Sequence, residues 1–80
     1  MPIYYESYTD KALIKCIRKT QKRIADHESK IENPGKYVKD WDEKDVEYRK
    51  GIIAYWKKEI RNFNVQIKKA QAELERRGGK

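Results

Sequence analysis

The sequence contains few of the residues that small proteins use to bind metals or to carry out catalysis. Its 80 residues include 1 cysteine and 1 histidine, which excludes an internal disulfide and a zinc cluster of cysteines and histidines. It also lacks a glycine-rich phosphate-binding loop and a serine–histidine arrangement. We therefore expect a protein that is not an enzyme and that has no metal and no cofactor.

Long apolar runs are absent as well. No stretch approaches about 18 consecutive apolar residues, so we expect no membrane-spanning segment. The first residues have neither the basic nor the apolar region of a signal peptide. Together with the single cysteine, these features predict a cytoplasmic protein in a reducing environment.

Charge is what the sequence has in abundance. Charged residues make up 41% of the chain and apolar residues 38%, which predicts one small domain, 1–80, with a thin core. The formal net charge is +7, and the positive charge is concentrated in two blocks, while the other residues are slightly acidic in sum. Residues 10–23 carry a local charge of +5, and residues 61–80 carry +4. Such a balance attracts anionic partners.

A first helix is predicted over residues 10–32. Its apolar residues recur at spacings of four and seven and so lie on one stripe: Leu13, Ile17, Ile24 and Ile31. Ser7 or Thr9 can cap its N-terminus. The run Asn33-Pro34-Gly35 ends it, because proline cannot continue a helix.

The connection over residues 33–42 is too aromatic for a free loop. We expect Tyr37, Val38 and Trp41 to fold back onto the helices. A second helix then follows over residues 43–77, with a tail at 78–80. Its apolar residues form a 4-3 heptad pattern: Val46, Ile53, Trp56, Ile60, Phe63, Ile67, Ala70 and Leu74.

These elements predict an all-α fold, an antiparallel helical hairpin of a shorter and a longer helix. A hairpin buries only one stripe per helix, and Tyr48, Ile52 and Tyr55 form a further apolar stripe on the second helix. The N-terminal arm and the connection can cover it, or a second copy of the chain can. The longer second helix favours a homodimer that completes a helical bundle.

Candidate anion-binding residues come from both basic blocks. Four cations of the first helix are spaced to share one face, and an antiparallel hairpin brings the end of the second helix beside them. The candidate contacts to an anion are Lys11, Lys15, Arg18, Lys19, Lys22, Arg76 and Arg77.

The N-terminal arm, residues 1–9, adds three tyrosines next to these cations: Tyr4, Tyr5 and Tyr8. A tyrosine can stack on a base while a lysine or arginine contacts the phosphate. Tyr5 and Tyr8 are the candidate stacking residues. The competing interpretation is that the arm tyrosines cover the apolar stripe and belong to the core.

The turn end has a different character, because it is aromatic and slightly acidic. Tryptophan and tyrosine are typical of protein-binding hot spots. The candidate protein contacts there are Tyr37, Trp41, Tyr48, Ile52 and Tyr55.

Two functions follow from these two ends. The first is non-enzymatic binding of an anion, a nucleic acid or a nucleotide, by the basic end. The alternative is a small protein-binding inhibitor or adaptor, of the kind that phages or mobile elements encode, that docks on a host protein through its aromatic and charged surface. A structural subunit that assembles only with itself is a third, simpler interpretation.

Overall fold

The structure, a computed structural model, describes residues 5–78. All secondary structure within these residues is helical, which confirms the all-α prediction. In chain order the elements are a 3-10 turn (Tyr5–Ser7), helix α1 (Asp10–Glu32), helix α2 (Pro34–Tyr37), a second 3-10 turn (Trp41–Glu43) and helix α3 (Val46–Gly78). None of the helices in this part of the chain combines the length and the apolar character that a membrane span requires.

Helices α1 and α3 pack against each other in opposite directions. Arg77 at the end of α3 pairs with Asp10 at the start of α1, with 3.0 Å between Nη1 and Oδ1. Near the other end of α1, the ammonium of Lys30 lies 5.9 Å from the ring centre of Trp56. The two helices therefore form the antiparallel hairpin within a single chain, and the described residues extend over 53 × 21 × 20 Å.

One cluster of the core lies near the open end of the hairpin, where the two helix termini meet the N-terminal segment, and Trp56, Phe63 and Ile67 are buried farther along α3. Leu13 is fully buried (0% exposed) and packs with Tyr5 and Ala70. Cys16, Ile17 and Leu74 are partly buried around them. The first 3-10 turn thus orders the described part of the arm against α3. The remainder of the predicted arm, residues 1–4 with Tyr4, and the end of the predicted tail, 79–80, lie outside the described residues.

Side-chain caps determine where both long helices begin. Thr9 caps α1, because its Oγ1 accepts a hydrogen bond from the backbone N–H of Ala12 (3.1 Å). Asp45 does the same for α3, where Oδ1 accepts from the N–H of Tyr48 (2.7 Å).

The predicted start of the second helix at residue 43 is therefore three residues too early. Residues 41–43 form the second 3-10 turn, which follows Asp40 in the left-handed conformation (φ 56°). Lys44, in the extended conformation (φ −73°, ψ 147°), separates this turn from α3, and α3 then runs one residue beyond the predicted end at 77.

The first ten residues of α3 extend past the end of α1 by about 15 Å. Trp41 folds back as predicted and stacks on Trp56, with ring centres 6.5 Å apart. Tyr37 does not fold back and is 47% exposed. Val46, although it belongs to the heptad pattern, is 52% exposed because α1 does not reach it.

Candidate functional site

Four cations on α1 form a continuous surface, which we call the outer basic face. It consists of Lys11, Lys15, Arg18 and Lys22, and all four side chains are exposed. They lie opposite the buried positions Leu13 and Thr20, so they point away from α3. None of the carboxylates whose side chains the structure describes lies within ion-pair distance of any of them. The outer basic face is therefore uncompensated positive charge.

An apolar side chain interrupts this charge. Ile14 is 43% exposed and lies between Lys11, Lys15 and Arg18, with which it lines a shallow depression of about 530 Å³. An anion bound here would contact cations on both sides of an apolar patch. Nucleic acids match that arrangement, because their phosphates are charged while their bases and sugars have apolar faces.

A second depression, the Tyr8 groove, lies along the flank of α1 next to α3 and has a volume of about 320 Å³. It contains Tyr8, which is 37% exposed, together with cations of α1. Its lining residues are Tyr8, Ala12, Lys15, Cys16, Lys19, Thr20, Arg23 and Gln66. Because Lys15 lines both depressions, the Tyr8 groove is continuous with the outer basic face. The structure thus places Tyr8 beside Lys15 and Lys19.

The two candidate stacking tyrosines occupy different environments. Tyr5 is 9% exposed and belongs to the core, and burial is the main reason that the pKa of its hydroxyl is raised. Tyr8 packs edge-on against Tyr5, with ring centres 5.6 Å apart. Only Tyr8 presents ring surface that a base could cover, so the aromatic part of the candidate site reduces to Tyr8.

The two arginines at the end of α3 reach the same end of the hairpin as the α1 cations, but they are engaged in contacts within the chain. The guanidinium of Arg77 donates to Glu73, to Asp10 (3.0 Å) and to the backbone carbonyl of Tyr5 (2.8 Å). Arg76 donates to Glu73 through Nε (2.9 Å). Arg77 therefore joins α3, α1 and the first 3-10 turn, and its charge is compensated.

Glu73 is the centre of that cluster, and sequence reasoning did not single it out. Its side chain is 9% exposed. The hydrogen bonds from Arg76 and then Arg77 lower the pKa of its carboxyl from 4.5 to about 2. The i, i+3 and i, i+4 spacing to the two arginines was a usable signal for an ion-pair cluster within α3. Arg23 and Gln66 of the Tyr8 groove were likewise absent from the predicted site.

Three of the five candidate protein contacts share one surface. Tyr48 (45% exposed) and Tyr55 (57% exposed) flank half-buried Ile52 on one side of α3, and we call these three residues the tyrosine face. The Lys44 ammonium lies 5.3 Å from the ring centre of Tyr48. A hydrogen bond with Glu59 raises the pKa of the Tyr55 hydroxyl. Trp41 lies outside the tyrosine face, where it stacks on Trp56.

The residues with potential for catalysis or metal binding are separated. The Nδ1 atom of His27 lies 2.9 Å from the backbone carbonyl of Arg23, and its ring packs edge-on against Phe63. Cys16 is a partly buried free thiol. Within the described part of the chain, no group of three histidine, cysteine or acidic residues is close enough to hold a metal ion.

Comparison of this chain with protein-family models, with curated proteins and with solved structures finds no match.

Proposed function

We propose that this chain is a non-enzymatic nucleic-acid-binding protein whose outer basic face contacts the phosphates of one strand. The observation that carries the proposal is the set of four exposed cations in helical register, none of which has a partner among the carboxylates that the structure describes. Surface cations of a folded protein that are left without acidic neighbours attract polyanions and release their counterions on binding.

The length of the surface favours a strand over a single nucleotide. Lys11 and Lys22 are separated by about 16 Å along the helix axis. One strand of duplex DNA places a phosphate about every 3.4 Å along its axis, and an extended single strand spaces its phosphates more widely, so the outer basic face spans several phosphates in either case. A mononucleotide would occupy the Tyr8 groove alone and leave Lys11 and Lys22 without a contact.

Tyr8 favours a single strand over a duplex. A ring that is 37% exposed beside Lys15 and Lys19 can stack on a base only where the base is already unstacked. The proposed complex therefore has phosphates along the outer basic face and one base on Tyr8.

The proposal is tested by titrating fluorescent single-stranded and double-stranded oligonucleotides, and a labelled mononucleotide, into the protein. We expect the single strand to bind most tightly and Tyr8→Ala to weaken its binding by about 1–3 kcal/mol, the usual contribution of one stacked base. Tyr37→Ala, which removes another exposed tyrosine at the turn end, is the control. Equal affinity for all three ligands, or equal effects of the two substitutions, would contradict the proposed mode of binding.

We also propose that two copies of the chain associate through the tyrosine face. The described part of the arm packs at the opposite end of the hairpin through Tyr5, and neither α2 nor the second 3-10 turn covers Tyr48 and Tyr55. An antiparallel pair of α3 helices would bury both tyrosines at a two-fold axis. Sedimentation of the wild type should show a dimer, and Tyr48→Glu with Tyr55→Glu should show a monomer of unchanged helix content.

The same exposed tyrosines support the alternative function, an inhibitor or adaptor that docks on a host protein. Exposed tyrosines are typical of binding hot spots. This alternative predicts a wild-type protein that sediments as a monomer, binds oligonucleotides only weakly, and loses its partner when Tyr48 or Tyr55 becomes alanine. A salt-sensitive oligonucleotide complex together with a dimer would exclude it.

A further inference from the structure

The part of α3 that extends past α1 carries a second concave surface, the Trp41 groove, with a volume of about 530 Å³. Its lining combines an apolar floor with a cationic rim and contains no carboxylate. The lining residues are Trp41, Val46, Arg49, Lys50, Ile53, Ala54 and Lys57. We infer that the Trp41 groove is a docking site for an acidic amphipathic helix of another protein.

The heptad stripe of α3 continues past the end of α1. Along α3 the stripe that packs against α1 includes Phe63 and Ile67, which are buried. It continues through Ile53 to Val46, which is 52% exposed because α1 ends at Glu32. The same periodic surface that binds a helix along one part of α3 is uncovered along the next, so a helix is the form of partner that fits it.

The charges on the rim of the groove all have the same sign. Lys50 and Lys57 are seven residues apart and line one side of the apolar stripe, and Arg49 lies on the other. No carboxylate among the described side chains forms an ion pair with any of the three. Charges beside an apolar seam select the partner by complementarity. The cations therefore specify glutamates or aspartates on both sides of the partner's apolar stripe.

The length of the floor also fits a helix. Val46 and Lys57 are about 16 Å apart along α3, which corresponds to three turns of a partner helix. Trp41 lies at the floor of the groove and is held by its stacking on Trp56 at 6.5 Å. A partner with apolar side chains at i, i+3 or i+4, and i+7 would contact Val46, Ile53 and Trp41 together.

The Trp41 groove is separate from the surfaces of the proposed function. It shares no residue with the outer basic face, the Tyr8 groove or the tyrosine face. Acidic-helix docking and nucleic-acid binding can therefore fail independently of each other.

The probe is a labelled synthetic peptide of about 15 residues, with isoleucine or leucine on a heptad stripe and glutamate beside it. One control peptide replaces the apolar residues by serine, and a second replaces each glutamate by lysine. We expect only the first peptide to raise the fluorescence anisotropy and to shift the tryptophan emission to shorter wavelength, since Trp41 becomes covered. Equal binding of the serine peptide would overturn the inference, because attraction of charge alone would then explain the complex.

The variant Lys50→Glu with Lys57→Glu reverses one side of the rim and should weaken peptide binding about tenfold or more. Lys58→Glu with Lys68→Glu changes the net charge equally at exposed positions of α3 outside the groove and should change binding little. Ile53→Asp should abolish binding. If the charge-reversed rim leaves binding unchanged while helix content is preserved, the inference is wrong.

Two further outcomes would assign the groove to another occupant and also overturn the inference. One is sedimentation of a dimer that Ile53→Asp converts to a monomer, which would make the groove an interface between copies of this chain. The other is a loss of oligonucleotide binding in Lys50→Glu with Lys57→Glu that exceeds the loss in Lys58→Glu with Lys68→Glu. That result would make the groove part of the nucleic-acid surface.

Discussion

Neutralising two cations of the outer basic face should change how strongly nucleic-acid binding depends on salt. The perturbation is Lys15→Gln with Arg18→Gln, two exposed positions that lie opposite the core of α1. Neither side chain has an acidic partner among the described residues, so their removal should not disturb the fold. The effect on binding is then the effect of two lost phosphate contacts.

The magnitude follows from counterion release. If the four cations of the outer basic face contact phosphates of a single strand, the logarithm of the affinity falls with the logarithm of salt concentration with a slope of about −2.8. Between about 50 and about 200 mM salt the wild type should lose about 50-fold in affinity. With two contacts left, the slope becomes about −1.4 and the loss falls to about sevenfold.

The assay is a fluorescence anisotropy titration of a single-stranded oligonucleotide at four or more salt concentrations, with circular dichroism as a check of folding. Lys58→Gln with Arg61→Gln is the matched control, because it removes one lysine and one arginine at the same spacing from an exposed face of α3. The control should keep the wild-type slope. Equal slopes for both variants would mean that binding depends on net charge alone, which would refute the assignment of the site to α1.

Three further predictions concern stability. Gly51 is exposed in α3, and a Cβ there would have no neighbour within 4 Å. Gly51→Ala should therefore raise the free energy of unfolding, measured by urea denaturation, by about 1 kcal/mol. No increase would mean that this part of α3 is not a regular helix in solution. The pKa of Glu73 is lowered to about 2, so the stability that its carboxylate contributes is complete above pH about 4.5 and is lost as pH falls through about 2. Glu73→Gln should therefore flatten this part of the acid unfolding transition measured by circular dichroism. An unchanged transition would contradict the ion-pair cluster around Glu73. Lys11 lies in the first turn of α1, where a cation opposes the helix dipole, so Lys11→Glu should stabilise the fold by about 0.5–1 kcal/mol and weaken oligonucleotide binding. A loss of both stability and binding would show that Lys11 makes a contact that the fold needs.

The two long helices could be predicted because their signals are local. The apolar stripe of α1 and the heptads of α3 are properties of neighbouring residues, and the break at Asn33-Pro34-Gly35 follows from the geometry of proline. The start of α3 could not be placed as well. Several acids precede it, and two of them, Asp42 and Glu43, lie in the second 3-10 turn, which the extended Lys44 separates from the cap Asp45.

The state of each aromatic or charged side chain depends on residues far away in the sequence, and the pattern does not contain that information. Tyr5 and Tyr8 are equivalent in a segment without periodicity, but Tyr5 meets Leu13 and Ala70 whereas Tyr8 remains at the surface. Val46 continues a heptad pattern, but whether it is covered depends on where α1 ends. Both answers require the tertiary arrangement.

The outer basic face is a better candidate site than the combined charge of both basic blocks. The sequence places Arg77 beside the α1 cations, but the structure uses its guanidinium to hold Asp10 and the Tyr5 carbonyl. That contact fixes the start of α1, together with the Thr9 cap. With its N-terminus held from within the fold, α1 can carry Lys11 in its first turn, a position that its own dipole disfavours. Stability alone would favour an acid at the position of Lys11, and the proposed binding of an anion would account for a cation there.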